Sequence, residues 1–281
     1  MEEMVVTFDS LDGVLLEGTL VTPTIKGDLA NALLLVHGGG VTREEGGFFT
    51  RMARGLSLRG IASLRFDFRA HGQSGGRADQ LTLAGIVNDI RAAHDFLSEN
   101  VGSESVNLLG ASFGGGLSLY YAGVYGDRVA RLILINPLLN YKRRLIDEKN
   151  YWNEDRISPE ASARLDEEGV LPHSPTFMLN RPLINEMFYL NPIDHLSSVK
   201  TPTLVFHGTK DTFIPFASSE YAVKQLKAKS VLVPIEGGQH GVAVHDDPQY
   251  KDPKTQYWQA SVITAIGDWL VDDRDLAGLK L

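Results

Sequence analysis

Short, wholly apolar runs separated by longer segments with helical character limit most strongly how this chain can fold. The runs in NALLLVHG, SVNLLGA, RLILINPLL and TPTLVFHG are nearly continuous in apolar residues. Strands of this kind are buried on both faces of a sheet, whereas strands with one solvent-exposed face alternate apolar and polar residues. Because helical stretches separate the runs, the sequence predicts an α/β fold: a mainly parallel sheet with helices on both faces.

The segments between these runs carry helical signals, and the chain opens with a hairpin signal. MVVTFDS and LLEGTLVTP are predicted to pair around a turn near Asp12 and Gly13. Apolar residues recur at helical spacing from Leu83 to Leu97. Further helices are predicted over Phe48–Leu58, from Ser112 onward, over SSEYAVKQLKAK and over about Gln256–Val271.

One long segment interrupts the alternation of strands and helices. Between Leu139 and His195 no clear strand is predicted, yet the segment is rich in aromatic and methionine residues. A plain connection of this length is uncommon in a compact domain, and disordered segments are poor in aromatics. We therefore predict that residues 139–195 form an inserted helical cap on a core made of residues 1–138 and 196–281. A disordered insert is the alternative.

A serine stands where an apolar strand is predicted to turn directly into a helix. GASFG, from Gly110 to Gly114, fits the pattern G-x-S-x-G. Such a turn strains the backbone of the serine, so small residues must flank it, and it lifts the hydroxyl above the sheet. Ser112 is therefore the candidate nucleophile. A glycine-rich structural turn is the alternative, while a phosphate loop lacks its Gly-Lys-Ser/Thr sequence.

A serine hydroxyl is a weak nucleophile that needs a base, and the base needs an orienting acid. In the order serine, acid, histidine, the base is predicted to be His240 in EGGQHG, whose glycines allow the loop to reach Ser112. His245 is the rival. Asp211 in HGTKDTFIP follows a strand and should lie at the same sheet edge as Ser112. The alternative for Asp211 is a turn or helix-cap aspartate.

Acyl transfer also needs hydrogen-bond donors for the developing oxyanion. HGGG, from His37 to Gly40, follows a predicted strand. The predicted donors are the backbone N–H groups of Phe113 and Gly39, with Gly40 as the next choice. A flexible turn is the alternative for this glycine run.

Composition and charge disfavour other classes of protein. The net charge is −8, and this balance disfavours nucleic acid as the main partner, because phosphate binding needs a cationic surface. The chain has no cysteine, so disulfides and thiolate nucleophiles are excluded. MEEMVVTF lacks signal-peptide character and no apolar run is long enough for a membrane span, so we expect a cytoplasmic location.

HGVAVHDD could be a metal cluster, but its histidine spacing does not suit one. We expect no metal and no organic cofactor.

Five segments resemble the α/β-hydrolase superfamily, and within it the branch of serine esterases and serine aminopeptidase-like enzymes that includes cinnamoyl (feruloyl) esterases. The segments are LLLVHGGG, RFDFRAHGQS, GASFGG, VFHGTKDTFIP and GGQHG, in the order of the family. The resemblance implies an eight-stranded, mostly parallel sheet and a Ser112–Asp211–His240 triad. It departs at Ala70, where these enzymes often carry Gly or Asn, and it is weakest in the cap.

These features predict a serine hydrolase that cleaves a carboxylic ester or related acyl bond in a small-molecule substrate. The alternatives are an aminopeptidase-like peptidase, a thioesterase or acyltransferase of a biosynthetic pathway, and a hydrolase-fold binding module. Gly40, Trp152 and Phe188 are the expected substrate contacts. The substrate stays open, and so does the oligomeric state, with a homodimer as one option.

Overall fold

The first half of the chain builds most of a central sheet. The computed structural model describes residues 1–24 and 31–281. The predicted opening hairpin is present, and the strands and helices then alternate as the sequence indicates. These elements are β1 (Glu2–Asp9), β2 (Leu15–Thr22), β3 (Leu33–Val36), α1 (Phe48–Ser57), β4 (Ser63–Asp67), α2 (Leu83–Val101), β5 (Val106–Ala111), α3 (Ser112–Val124) and β6 (Val129–Ile135).

The segment from 139 to 195 contains helices, as expected, and also four short strands that the sequence did not predict. The strands pair as two small antiparallel ribbons, β7 with β8 and β9 with β10. Strands of two or three residues are too short to show an alternating pattern. The elements are a π-helical turn at Arg143–Asp147, β7 (Trp152–Asn153), β8 (Arg156–Ile157), α4 (Pro159–Glu168), β9 (Val170–Pro172), β10 (Met178–Asn180) and α5 (Arg181–Glu186).

The remaining elements complete the sheet and close the chain. They are β11 (Thr203–Gly208), α6 (Phe216–Gln225), β12 (Ser230–Ile235) and α7 (Pro253–Asp272). α7 begins three residues before its predicted start, because Pro253 occupies the first turn and the Asp252 side chain accepts the Lys254 N–H at 2.7 Å. Among the described residues, no helix is long and apolar enough to cross a membrane.

The eight strands of the central sheet lie in the order β1-β2-β4-β3-β5-β6-β11-β12. Only the pairs β1/β2 and β2/β4 are antiparallel, and the other five pairs are parallel. The predicted eight-stranded, mostly parallel sheet is thereby confirmed. Since parallel strands share one carboxyl edge, the loops after β3, β5, β6, β11 and β12 open on the same side of the molecule.

Two apolar cores lie on opposite faces of the sheet, because successive side chains of a strand point to opposite sides. In β3, Leu34 and Val36 join the core under α2 and α3, whereas Leu33 and Leu35 join the core under α1 and α7. All four side chains are fully buried. The continuous apolar runs in the sequence therefore reflect burial on both faces, as expected for central strands.

The turn from β5 into α3 is a crowded point of the backbone. Ser112 has a φ of 50°, a left-handed conformation that is strained for a residue with a side chain. A Cβ on Gly114 would lie 2.1 Å from the His37 carbonyl oxygen, and one on Gly110 would lie 2.6 Å from the Gly114 carbonyl oxygen. Only glycine allows these approaches, which explains the spacing of small residues around Ser112.

Replacing Gly114 with alanine should destabilise the fold, because the new methyl group would overlap the carbonyl oxygen of His37. We expect the free energy of unfolding to fall by roughly 1–3 kcal/mol or more, as in other overpacked sites. Urea unfolding followed by circular dichroism measures this change. Gly126→Ala is the matched control, because its Cβ would meet only the Thr201 hydroxyl at 3.9 Å. Equal stability of the two variants would contradict the close approach.

Candidate active site

Three loops at the carboxyl edge of the sheet bring Ser112, Asp211 and His240 together. Ser112 begins α3, Asp211 follows β11, and His240 lies in the loop after β12. His240 Nε2 lies 2.9 Å from Ser112 Oγ, and His240 Nδ1 lies 2.8 Å from Asp211 Oδ2. The three side chains that the sequence singled out therefore form one hydrogen-bonded chain. In this chain Asp211 accepts the Nδ1 proton, which leaves Nε2 free to accept the proton of the serine hydroxyl.

The Asp211 carboxylate is almost fully buried and receives hydrogen bonds from several directions. Oδ1 accepts the backbone N–H groups of Phe213 and Ile214 at 2.8 and 2.9 Å. Burial acts to raise the pKa of Asp211, but hydrogen bonds from His207 and His240 outweigh it and hold this pKa well below the usual carboxyl value. The group is therefore charged at neutral pH and oriented toward His240.

A further donor to Asp211 comes from a residue that sequence reasoning passed over. Asn136, at the end of β6, donates from Nδ2 to Asp211 Oδ2 at 2.7 Å, and its own backbone is left-handed, with a φ of 43°. The sequence showed only that this strand end has no carboxylate. Which loop the Asn136 amide would meet depends on the pairing of β6 with β11, which the sequence pattern alone does not fix.

The glycine loop after β3 lies against Ser112 and presents one N–H group without a partner. The Gly38 N–H donates to Glu45 Oε2 at 2.8 Å, and the Gly40 N–H donates to His71 Nε2 at 3.1 Å. Among the described residues the Gly39 N–H has no acceptor. Phe113 lies in the first turn of α3, where backbone N–H groups lack intrahelical acceptors. Gly39 and Phe113 therefore hold the positions expected of oxyanion donors, while the N–H of Gly40 is occupied.

Two histidines, the buried His37 and the partly buried His71, connect the loops around this site. His37 Nε2 accepts the Phe68 N–H at 3.3 Å, so its Nδ1 carries the proton and donates to the Gly38 carbonyl at 2.7 Å. His71 likewise donates from Nδ1 to the Arg69 carbonyl at 3.1 Å while it accepts from Gly40. Burial lowers the pKa of both imidazoles, so the neutral forms that these bonds require are favoured.

Glu45 is a second buried carboxyl group beside Ser112, and the sequence gave no reason to select it. A Cβ placed on Gly38 would lie 3.3 Å from Ser112 Cβ and 3.6 Å from both carboxylate oxygens of Glu45. Burial raises the pKa of Glu45, while the Gly38 hydrogen bond and the charge of His240 act to lower it. The surrounding sequence TREEGG has the composition of a surface loop, and only the fold turns this side chain inward.

Aromatic side chains from two segments form the walls around the three residues. Phe177 lies against the glycine loop, since a Cβ on Gly39 would lie 3.2 Å from its ring, and its centroid is 5.0 Å from that of Phe113. On the other side, the Phe213 centroid is 4.9 Å from that of His240. Phe177 was not among the substrate contacts expected from the sequence.

The remaining sequence-based candidates are not joined to the three residues by any hydrogen bond or aromatic pair among the described residues. Trp152 and Phe188 pack against each other, with ring centroids 5.8 Å apart. In the described part of the chain neither ring pairs with an aromatic side chain of the site, so their role in substrate binding stays a prediction. The rival base His245 is exposed, and its nearest carboxylate is that of Asp246 at 3.4 Å. Among residues 1–24 and 31–281, no group of side chains is arranged to hold a metal ion.

Comparisons with known proteins agree with this fold. A sequence model of the alpha/beta hydrolase fold matches residues 31–164. The chain is 26% identical over 252 residues to the proline iminopeptidase PfmaB of Pestalotiopsis fici, covering 76% of this chain and 87% of that protein. It is 24% identical over 275 residues to a monoacylglycerol lipase of Mycolicibacterium smegmatis, covering 87% and 92% of the two chains.

A solved structure similar to this one is Est1E from Butyrivibrio proteoclasticus with bound ferulic acid. It superposes with a TM-score of 0.77 at 21% identity, over 95% of this chain and 98% of that one. The fold is that of the α/β hydrolases, and the sequence similarities to a peptidase and a lipase agree with it.

The two buried carboxyl groups should affect stability with opposite pH dependence. The pKa of Asp211 lies below its ordinary 3.8, so the stability it contributes is present above that value and is lost as the pH falls toward the folded pKa. The pKa of Glu45 lies above its ordinary 4.5, so the stability associated with its neutral form is present below 4.5 and is lost as the pH rises through the folded pKa.

Urea unfolding of the wild type, Asp211→Asn and Glu45→Gln across about pH 3 to 7 tests these signs. The stability of the wild type relative to Asp211→Asn should increase as the pH rises toward about 4. The stability of the wild type relative to Glu45→Gln should decrease as the pH rises above about 4.5. Slopes of the same sign for both variants would contradict the environments described for these groups.

Proposed function

We propose that this protein is a serine hydrolase that cleaves carboxylic esters through a covalent acyl-enzyme intermediate. The observation that carries the proposal is the hydrogen-bonded chain from Ser112 through His240 to the buried, charged Asp211. This is the arrangement by which a serine hydroxyl becomes nucleophilic at neutral pH. The lipase and peptidase among the relatives act by hydrolysis, in keeping with this chemistry.

Each group has a defined part in the proposed reaction. Ser112 Oγ attacks the ester carbonyl while its proton passes to His240 Nε2, and Asp211 stabilises the imidazolium that forms. The N–H groups of Gly39 and Phe113 bind the oxyanion. When the tetrahedral intermediate collapses, His240 returns the proton to the departing alcohol and leaves Ser112 acylated. A water then attacks the acyl group with His240 as its base, and the acid product leaves.

The inserted segment 139–195 is proposed to act as a cap that shapes the substrate site. Phe177, which directly precedes β10, contacts the glycine loop that carries the oxyanion donor. Tyr141, near the start of the segment, is fully buried and donates from its hydroxyl to the Phe113 carbonyl at 2.5 Å. Two points of the segment thus contact the residues that would bind the oxyanion.

Labelling with a fluorophosphonate tests the nucleophile. The reagent should add to one site, recovered by mass spectrometry on the peptide that contains Ser112, and Ser112→Ala should lose both labelling and ester hydrolysis. A panel of esters, thioesters and amides with matched acyl groups then ranks the substrates, with esters expected to be cleaved fastest. Stoichiometric labelling that survives in a folded Ser112→Ala protein would refute the assignment.

Replacing His240 or His245 with alanine tests which histidine is the base. His240→Ala should lower kcat by on the order of 10⁴ or more, because the serine proton then has no acceptor. His245→Ala removes an exposed imidazole from the same loop and should keep most of the activity. Initial rates on one ester, with circular dichroism to establish folding, measure both effects. A larger loss in His245→Ala than in His240→Ala would reassign the base.

A further inference from the structure

A cavity of about 490 Å³ opens beside the turn that carries Asp211. Its apolar lining comes from the chain just after β6 and from the Asp211 turn, and includes Leu138, Leu139 and Ile214. Phe213 is also part of the lining, and its ring centroid lies 4.9 Å from that of His240. The cavity therefore adjoins the base of the proposed reaction, with one aromatic ring between them.

Arg144 from the inserted segment lies over this cavity with unmet hydrogen-bonding capacity. Its guanidinium carbon is 4.4 Å from the centroid of the Phe213 ring. Nη1 binds Glu148 at 3.1 Å, but Nε is buried and has no acceptor among the described residues. Since Nε is out of reach of solvent, the donors open to a ligand are those of Nη2, which makes no hydrogen bond in the described part of the chain.

The charges around Arg144 are predominantly positive. Arg143 and Arg144 share one carboxylate, that of Glu148. Lys149, which is partly buried, has no carboxylate within 4.0 Å in the described ranges. Burial lowers the pKa of Lys149, and the charge of Arg144 lowers it further. Arg143 and Arg144 both line the cavity, so two cations that share one carboxylate leave it with a net positive charge that attracts an anion.

His173 connects this positive cluster to the residues of the proposed reaction. Its ring centroid lies 6.2 Å from that of Phe213 and 6.0 Å from that of Phe177, so it lies between the rings that flank His240 and the glycine loop. Its Nδ1 is buried without a partner in the described part of the protein. Burial, together with the charges of Lys149 and Arg144, lowers the pKa of His173 to about 4.

We infer that the preferred esters carry a carboxylate a few bonds from the scissile bond, and that Arg144 binds it over the Phe213 ring. This inference rests on the proposed ester hydrolysis and adds the charge of the substrate. The planar guanidinium matches the geometry of a carboxylate and remains able to stack on an aromatic ring. A substrate with a terminal ammonium group, as in an aminopeptidase, would be repelled by the same cations.

Paired ester series test the inference. In the first series the carboxylate is on the acyl part: monomethyl glutarate and monomethyl adipate are compared with methyl esters of uncharged acids of equal length. In the second series the carboxylate is on the alcohol part: butyrate esters of hydroxy acids are compared with butyrate esters of plain alcohols. In at least one series kcat/KM should be about tenfold or more higher for the charged ester. Arg144→Gln should reduce this ratio, and added salt should reduce it in the wild type.

Arg164→Gln is the matched control. Arg144 and Arg164 lie in the same inserted segment, and each pairs with a glutamate four residues later. Arg164 belongs to α4 and does not line the cavity, so its loss should leave the charged-to-neutral ratio unchanged. A ratio that falls equally in Arg144→Gln and Arg164→Gln would overturn the subsite, because the effect would then come from net charge alone.

The outcomes separate this inference from the proposed function. Wild-type protein that cleaves neutral and charged esters equally well in both series would overturn the subsite and leave ester hydrolysis standing. Protein that cleaves no ester would overturn the proposed function. In that case calorimetry decides on the subsite: glutarate binding to the wild type that is weakened in Arg144→Gln supports it, and no binding to the wild type overturns it.

Discussion

The approach of the α3 backbone to the loop after β3 is the constraint on which the site depends. A Cβ on Gly114 would lie 2.1 Å from the carbonyl oxygen of His37, so the backbone of α3 contacts the loop after β3 with no side chain between them. This contact brings the glycine loop beside Ser112. The strained φ of Ser112 is maintained by its surroundings, including the Leu138 N–H that donates to its carbonyl at 2.9 Å.

Two carboxyl groups with opposite environments flank the same imidazole. Asp211 is buried, but its oxygens receive hydrogen bonds from Asn136, His240 and two backbone N–H groups, and His207 Nε2 lies 3.4 Å away. Glu45 is buried with one such bond, from the Gly38 N–H. Similar burial therefore lowers the pKa of one group and raises that of the other, because hydrogen bonding decides whether the charge is compensated.

The sequence predicted the fold and the three central side chains because their signals are local. Continuous apolar runs indicate central strands. Ser112, Asp211 and His240 each follow a predicted strand, so all three are expected at the same edge of the sheet. Asn136, Glu45 and His71 were missed because their partners are set by contacts between loops, which no periodicity encodes. Glu45 points inward only because its backbone turns through a left-handed φ of 45°. In the inserted segment, strands of two or three residues fall below the length at which a pattern can be detected.

In the proposed reaction the core supplies the catalytic residues, and the inserted segment supplies Arg144 for binding the substrate. Phe213 belongs to the turn of Asp211, yet Arg144 of the inserted segment stacks on its ring. The Phe213 ring centroid also lies 4.9 Å from that of His240, so a substrate carboxylate bound at Arg144 would be held one aromatic ring away from the base. Its binding free energy would then help to orient the ester carbonyl toward Ser112, so that the charged ester would gain in kcat and not only in KM.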